Sequence, residues 1–228
     1  MSHSEKENKQ GSLAGADAWI KPHRAKLLSK RTVDIVGSLV FFTLFSGLYL
    51  FVWWLVLVTT GGPAIYRHRR VGRDGREFDC LKFRSMVVNS DEVLRDLLAR
   101  DADARQEWST TFKLRQDPRI TRFGAFIRKT SLDELPQFWN VLRGDMSLVG
   151  PRPVVHQELE VYYGPYAQAY KQMRPGITGP WQVSGRSNLT YPERVALDTA
   201  YVRRWTIGGD FVLIAKTVTS VVAARGSY

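Results

Sequence analysis

The 228-residue chain has one cysteine, Cys80, so no internal disulfide can form, which suits a domain kept in a reducing compartment. It contains no G-x-G-x-x-G and no P-loop run, which removes the simple dinucleotide-binding and NTPase readings. Residues 1–18 have no apolar stretch of the kind a cleaved export signal needs. They are polar, rich in Gly, Ser, Lys and Glu, and residues 1–20 read as a flexible tail. No internal repeat is found.

What the chain does have is positive charge and one long apolar run. The formal charge of +11 calls for an anionic partner: lipid headgroups, a phosphorylated substrate or nucleic acid. The 24 residues Ile35 to Val58 carry no charged side chain, and they are flanked by Lys21, Arg24, Lys26, Lys30 and Arg31 on one side and by Arg67, Arg69, Arg70, Arg73 and Arg76 on the other. Because the basic clusters border the apolar run, membrane lipid is the first reading of these charges and nucleic acid the last.

A bilayer core needs about 20 apolar residues, so length alone permits a span. Positive flanks prefer the cytoplasmic side, and a straight crossing would export one of the two clusters. A re-entrant helix keeps both inside. Ser46-Gly47 lies mid-run and is the candidate membrane turn, since Gly/Ser pairs are a known cause of kinks. On this pattern alone an ordinary spanning helix with a tolerated glycine stays open.

After Gly61-Gly62-Pro63, the segments Ala64 to Val71 and Glu77 to Phe83 predict a β-hairpin around Gly72-Arg73-Asp74-Gly75. Asn89 to Glu92 predicts the start of a helix running towards Trp108. A shorter helix is expected over Asp133 to Leu142, loop over Gly144 to Pro153, helix over Glu158 to Met173, Gly-rich loop over Arg174 to Asn188, and helix over Tyr191 to Trp205. Phe211 to Ala224 is too short to span and reads as a core or interfacial helix. The divisions are residues 1–20 as tail, 21–62 as basic flank and membrane helix, and 63–228 as one domain.

The chemistry points to Asp133-Glu134. Adjacent carboxylates repel, and under partial burial one pKa rises unless a cation or metal lies close. An Asp can attack phosphorus as a covalent nucleophile, and a neighbouring Glu can hold a divalent ion. First-turn acids are also favoured on any helix by its dipole, so the dipeptide alone does not decide. Lys82, Arg84, Arg128 and Arg152 supply cations suited to a diphosphate. Asp101 and Asp103 match an acid-x-acid pattern used by metal-dependent glycosyltransferases, but they stand in alternating charge from Arg95 to Glu107, the mark of a solvated helix face. His156 has no paired nucleophile in the sequence.

These motifs, taken together, resemble the monotopic polyprenyl-phosphate hexose-1-phosphate transferases, or bacterial sugar transferases. The resemblance is carried by Lys30-Arg31-Thr32-Val33-Asp34, Lys82-Phe83-Arg84-Ser85-Met86, Asp117-Pro118-Arg119-Ile120-Thr121, Ser131-Leu132-Asp133-Glu134-Leu135-Pro136-Gln137 and the run from Gly144 to Pro153. Arg174-Pro175-Gly176-Ile177-Thr178-Gly179 and Arg225-Gly226-Ser227-Tyr228 look like members that begin exopolysaccharide repeat units with galactose.

The resemblance implies a predominantly helical α+β fold with a re-entrant membrane helix, a short β-hairpin and interfacial helices. It places the catalytic domain on the cytoplasmic face of a bacterial inner membrane. It implies attack of Asp133 on the β-phosphate of a UDP-sugar, release of UMP, and transfer of the sugar phosphate from Asp133 to undecaprenyl phosphate. Glu134 and Asp133 would hold Mg²⁺, and Lys82, Arg84, Arg128 and Arg152 would position phosphates. The partners implied are a UDP-sugar, undecaprenyl phosphate and membrane lipid, with no nucleic acid and a homodimer left open. The family usually has Ser-Pro at the membrane turn, where this chain has Ser46-Gly47. A metal-dependent glycosyltransferase releasing UDP and a non-enzymatic membrane adaptor are the two alternatives.

Overall fold

The computed structural model describes residues 24–111, 114–185 and 189–222; the tail expected over 1–20 and the match at Arg225 to Tyr228 lie outside them. Helix α1, Arg24–Thr60, is 37 residues long and holds the whole apolar run. Its Thr43 and Thr59 hydroxyls donate to the carbonyls of Leu39 and Leu55, so these polar groups are satisfied inside the helix.

The turn expected at Ser46-Gly47 is not there: the helix continues through both residues. Glycine keeps the N–H that proline lacks, and its cost inside a helix is only about 1 kcal/mol relative to alanine, so the hydrogen-bond ladder survives. A Cβ at Gly47 would meet nothing within 4 Å, so no tertiary contact demands a bend at that point.

The hairpin forms as expected, with β1 (Ile65–Val71) antiparallel to β2 (Glu77–Phe83), from Ile65 opposite Phe83 to Val71 opposite Glu77. The helix predicted towards Trp108 divides into α2 (Ser90–Arg100) and α3 (Ala102–Thr111). Asp101 between them is extended and its carboxylate accepts the N–H groups of Asp103 and Ala104, a helix-capping arrangement. Helix α4 (Arg122–Lys129) leads into a 3₁₀ turn, Leu132–Glu134, and then α5 (Gln137–Arg143).

Two stretches read as loop contain a short parallel pair, β3 (Ser147–Val149) beside β4 (Gly176–Thr178). Its backbones come so close that a Cβ at Gly176 would stand 2.1 Å from the Gly150 nitrogen, so only glycine fits there. Helical turns cover 156–170, including a π-turn at Leu159–Tyr163. Helices α6 (Pro180–Ser184), α7 (Tyr191–Arg204) and α8 (Ile207–Val222) complete the described chain.

The apolar helix is a structural wall of the domain along most of its length. Near its start, Lys30 Nζ lies 2.5 Å from Asp210 of α8. Arg31 donates to the Val141 and Leu142 carbonyls at the C-terminus of α5, where cations are favoured. Asp34 Oδ1 accepts from the Ser147 hydroxyl and the Leu148 N–H. Further on, the Phe41 ring stacks on Phe138 at 3.7 Å, and Val52 and Val56 join Ala64, Phe83 and Ile127 in a core cluster. The opposite face leaves Val36, Leu50 and Trp54 exposed. Helix α8 has the same polarity, with Asp210 buried and Phe211, Val212 and Val218 outward. Among the described residues the structure is thus mainly helical, with two small sheets and one apolar helix long enough to cross a bilayer.

The buried Lys30–Asp210 pair, with Tyr201 and Trp205 also donating to Asp210, fastens α1 to α8. Asp210→Ala strands the lysine ammonium in a dry site and should destabilise the fold by about 3–5 kcal/mol. Replacing both partners, Lys30→Met with Asp210→Leu, should recover part of that loss. Thermal unfolding of the detergent-purified protein tests the order: wild type above the double variant, and the double variant above Asp210→Ala.

Candidate active site

Side chains alternate across a strand, so Phe78, Cys80 and Lys82 share one face of β2. Phe78 and Cys80 pack on Val141 and Met146, which fixes the strand against α5 and carries Lys82 to the 3₁₀ turn. There Lys82 Nζ lies 2.7 Å from Glu134 Oε1 and 3.9 Å from Asp133 Oδ2. The ammonium is held by two carboxylates on consecutive residues.

The turn bearing them is set by an unusual backbone. Ser131 is left-handed at φ 59° and ψ 15°, a region that costs a residue with a side chain on the order of 1–3 kcal/mol. It redirects the chain after α4, so that Leu132 and Leu135 pack against the Val52, Phe83 and Ile127 cluster while Asp133 and Glu134 turn towards Lys82. Asn140 locks the other side. Fully buried, its side chain accepts from the Leu81 N–H at 2.9 Å and donates to the Asp79 carbonyl at 2.8 Å, as a neighbouring strand would.

The electrostatics separate the two acids. Burial pushes the Asp133 carboxyl up to about 6; Lys82 and Arg128 oppose that rise and Glu134 adds to it. Burial pushes Glu134 the same way, but Lys82, Arg152 and a hydrogen bond with Gln137 outweigh it and hold Glu134 below its usual range. One acid is firmly ionised and paired. The other is desolvated and carries its charge at greater cost.

Of the expected site residues, Lys82, Asp133 and Glu134 are in direct contact, and the charges of Arg128 and Arg152 act on them. The Arg152 guanidinium rests 5.4 Å above the Trp181 ring, with Arg194 4.7 Å from the same ring. Arg84 is used differently: its Nε donates to the Pro63 carbonyl and its guanidinium lies over Tyr66, so its described contacts tie the exit of α1 to the hairpin. Asp101 caps α3, and His156 lies exposed beside Glu77 at 3.3 Å. Asn140 is not marked by any sequence signal; Ser131 and Gln137 fall in the Ser131 to Gln137 run, but Ser131, where a helix cap is expected, is left-handed and makes no side-chain cap bond. Their roles depend on contacts and dihedrals that no local pattern encodes.

Among the described residues no three His, Cys, Asp or Glu side chains converge. Two adjacent hard carboxylates suit Mg²⁺, which takes one or two protein carboxylates and completes its octahedron with water and phosphate oxygens. They do not suit a zinc site, which takes three or four protein ligands, mostly sulfur and nitrogen.

The profile of the bacterial sugar transferase family matches residues 25–224, nearly the whole described chain. The protein belongs to that family. This bacterial sugar transferase is 53% identical over 205 residues to the undecaprenyl-phosphate galactose phosphotransferase of Salmonella typhimurium, covering 90% of this chain and 43% of that protein. It is 49% identical over 201 residues to the exopolysaccharide production protein ExoY of Rhizobium meliloti, covering 88% of each. It is 36% identical over 214 residues to the UDP-glucose:undecaprenyl-phosphate glucose-1-phosphate transferase of Caulobacter vibrioides, covering 91% and 74%. The chain spans less than half the length of the Salmonella relative.

The raised Asp133 value has a thermodynamic consequence in this transferase. The folded chain prefers the protonated acid, so this group's contribution to stability is complete below about 3.8 and is lost as pH rises through about 6. Asp133→Asn should therefore make the protein more stable above pH 6, by up to about 3 kcal/mol, while the two proteins converge towards pH 4. Denaturant unfolding at pH 4.5 and 7.5 tests this; a variant less stable than wild type at pH 7.5 contradicts the desolvated carboxylate.

Proposed function

We propose that the protein transfers a hexose 1-phosphate from UDP-galactose or UDP-glucose to undecaprenyl phosphate and releases UMP, as the first step of exopolysaccharide repeat-unit assembly. The observation that carries this reading is the contact of Lys82 with Asp133 and Glu134, in a chain whose relatives are named for sugar-phosphate transfer to this lipid.

In the first step an Asp133 oxygen attacks the β-phosphorus of the donor. The bond from that phosphorus to the bridging oxygen breaks, and UMP leaves with the electron pair. In the second step an oxygen of undecaprenyl phosphate attacks the same phosphorus, the acyl-phosphate P–O bond breaks, and the Asp133 carboxylate is restored. A carboxyl near 6 is mostly ionised at neutral pH and, stripped of water, is a better nucleophile than a solvated one.

Glu134 stays ionised and orients the Lys82 ammonium, which faces the phosphoryl oxygens as charge shifts onto the leaving group. Arg152 and Arg128 supply further positive charge. Mg²⁺ bound by Glu134 and Asp133 would neutralise charge on the donor phosphates. The acid-x-acid alternative is weakened because Asp101 serves as a helix cap on an exposed junction.

The seating of α1 belongs to the same proposal. A straight helix of this length is roughly 55 Å long at 1.5 Å per residue. Contacts with the polar domain run from Lys30 to Val56, so α1 cannot pass through a bilayer while the domain stays outside it. We place α1 half-sunk in one leaflet, an interfacial seat in place of the expected re-entrant turn, with both basic flanks facing the cytoplasm of a bacterial inner membrane. Cysteines introduced at Ser12 and Arg76 should both resist an impermeant maleimide in intact cells, with native Cys80 too buried to interfere; labelling of either one overturns this topology.

For the chemistry, Asp133→Asn should reduce UMP release by at least about a thousandfold, whereas Asp101→Asn and Asp103→Asn should stay near wild type. Release of UDP instead of UMP rejects the mechanism. The wild-type kcat/KM should fall as pH drops through about 6, as the nucleophile takes up a proton. Glu134→Gln should raise the Mg²⁺ concentration needed for half-maximal rate, and chelator should stop turnover. An unchanged metal requirement removes Glu134 from the ligand set.

A further inference from the structure

The other face of the hairpin carries a second feature. Ile65 and Arg67 of β1 and Asp79 and Leu81 of β2 point away from the Lys82 side, and with Tyr49 of α1 and Trp139 and Arg143 of α5 they line a cavity of about 340 Å³. That volume is within the range of small-molecule sites. The cavity sits where the apolar helix meets the basic hairpin. Trp139 is 52% exposed with its ring 6.5 Å from Phe42 of α1, and Phe45, exposed and one turn from Tyr49, carries the apolar surface along α1.

Its polar groups are mainly cationic. Arg67 is exposed, and Arg143 has only a long contact with Asp145 at 3.5 Å. Asp79, the single acid in the wall, already faces Arg69 at 3.4 Å. Two guanidiniums beside two amphipathic aromatic rings, opening onto an apolar stripe, match a phosphate at headgroup depth with acyl chains below it. The reactants are excluded by position: a phosphate held here lies across the strand from Lys82 and Asp133.

We propose that this cavity binds the headgroup of an anionic membrane phospholipid, with Arg67 and Arg143 on its phosphate and the acyl chains running along α1 beside Tyr49 and Trp139. A choline headgroup would bring a cation against the two arginines, so the site discriminates by charge. The bound lipid fixes α1, α5 and the hairpin to one another at the membrane surface. This inference depends on the membrane seat of α1 and not on the sugar chemistry.

Native mass spectrometry of the detergent-purified full chain tests it, with dioctanoyl phosphatidylglycerol, dioctanoyl phosphatidylcholine and inorganic phosphate as separate probes. One saturable phosphatidylglycerol per chain is expected, with weaker binding of the other two. Arg67→Ala with Arg143→Ala should weaken phosphatidylglycerol by at least about tenfold, given two charge-assisted contacts, and Arg67→Lys with Arg143→Lys should restore much of it. UMP release in detergent should be unchanged in both double variants. Equal affinity for the choline lipid, or undiminished phosphatidylglycerol binding by the alanine variant, overturns the proposal. A raised KM for undecaprenyl phosphate in that variant also overturns it, since the cavity would then be an acceptor site.

Discussion

Two carboxylates on consecutive residues, partly removed from water, need a fixed cation, and Lys82 meets that need from a neighbouring strand. A charge left unpaired in such a place costs several kcal/mol, so the strand, the turn and the helices beside them must hold their relative positions closely. Asn140 does this by hydrogen-bonding the open edge of β2, and Phe83 by joining the α1 core cluster. The strained Ser131 is tolerated because these surroundings overdetermine the turn.

The apolar helix is therefore part of the architecture of the candidate site as well as the element proposed to meet the membrane. Val52 and Val56 support the strand that carries Lys82, and Asp34 supports β3 through Ser147 and Leu148. A side chain of α1 that packs against the domain is a side chain that cannot face lipid, and the same helix leaves its opposite stripe bare. On the proposed membrane seat, one element serves both attachment and order in the site.

Much of this was legible in the sequence where a residue's role follows from its type and local period. The hairpin strands matched within a residue, because alternation and a Gly-Arg-Asp-Gly turn are local signals. The contact of Lys82 with Asp133 and Glu134 is foreshadowed by residue type, since adjacent acids and nearby cations are chemically conspicuous. The turn expected at Ser46-Gly47 does not form: a glycine weakens a helix without removing a donor, and nothing packs near Gly47 to force a bend. The β3–β4 pair escaped notice since its three-residue strands lie 27 or more positions apart and depend on glycines at the crossing. Arg84 reads as a phosphate ligand from its motif; its described contacts with Pro63 and Tyr66 add a structural role that composition does not carry.

The central claim is that Asp133 becomes covalently bonded to the sugar phosphate. Intact-protein mass spectrometry, after incubation with UDP-galactose or UDP-glucose and Mg²⁺ without the lipid acceptor, tests it most directly. The account predicts a mass increase of one hexose phosphate on the wild-type chain, mapping to the peptide containing Asp133, discharged on adding undecaprenyl phosphate and absent in Asp133→Asn. Turnover that proceeds with no such adduct, or an adduct retained by the Asp133 variant, would contradict it.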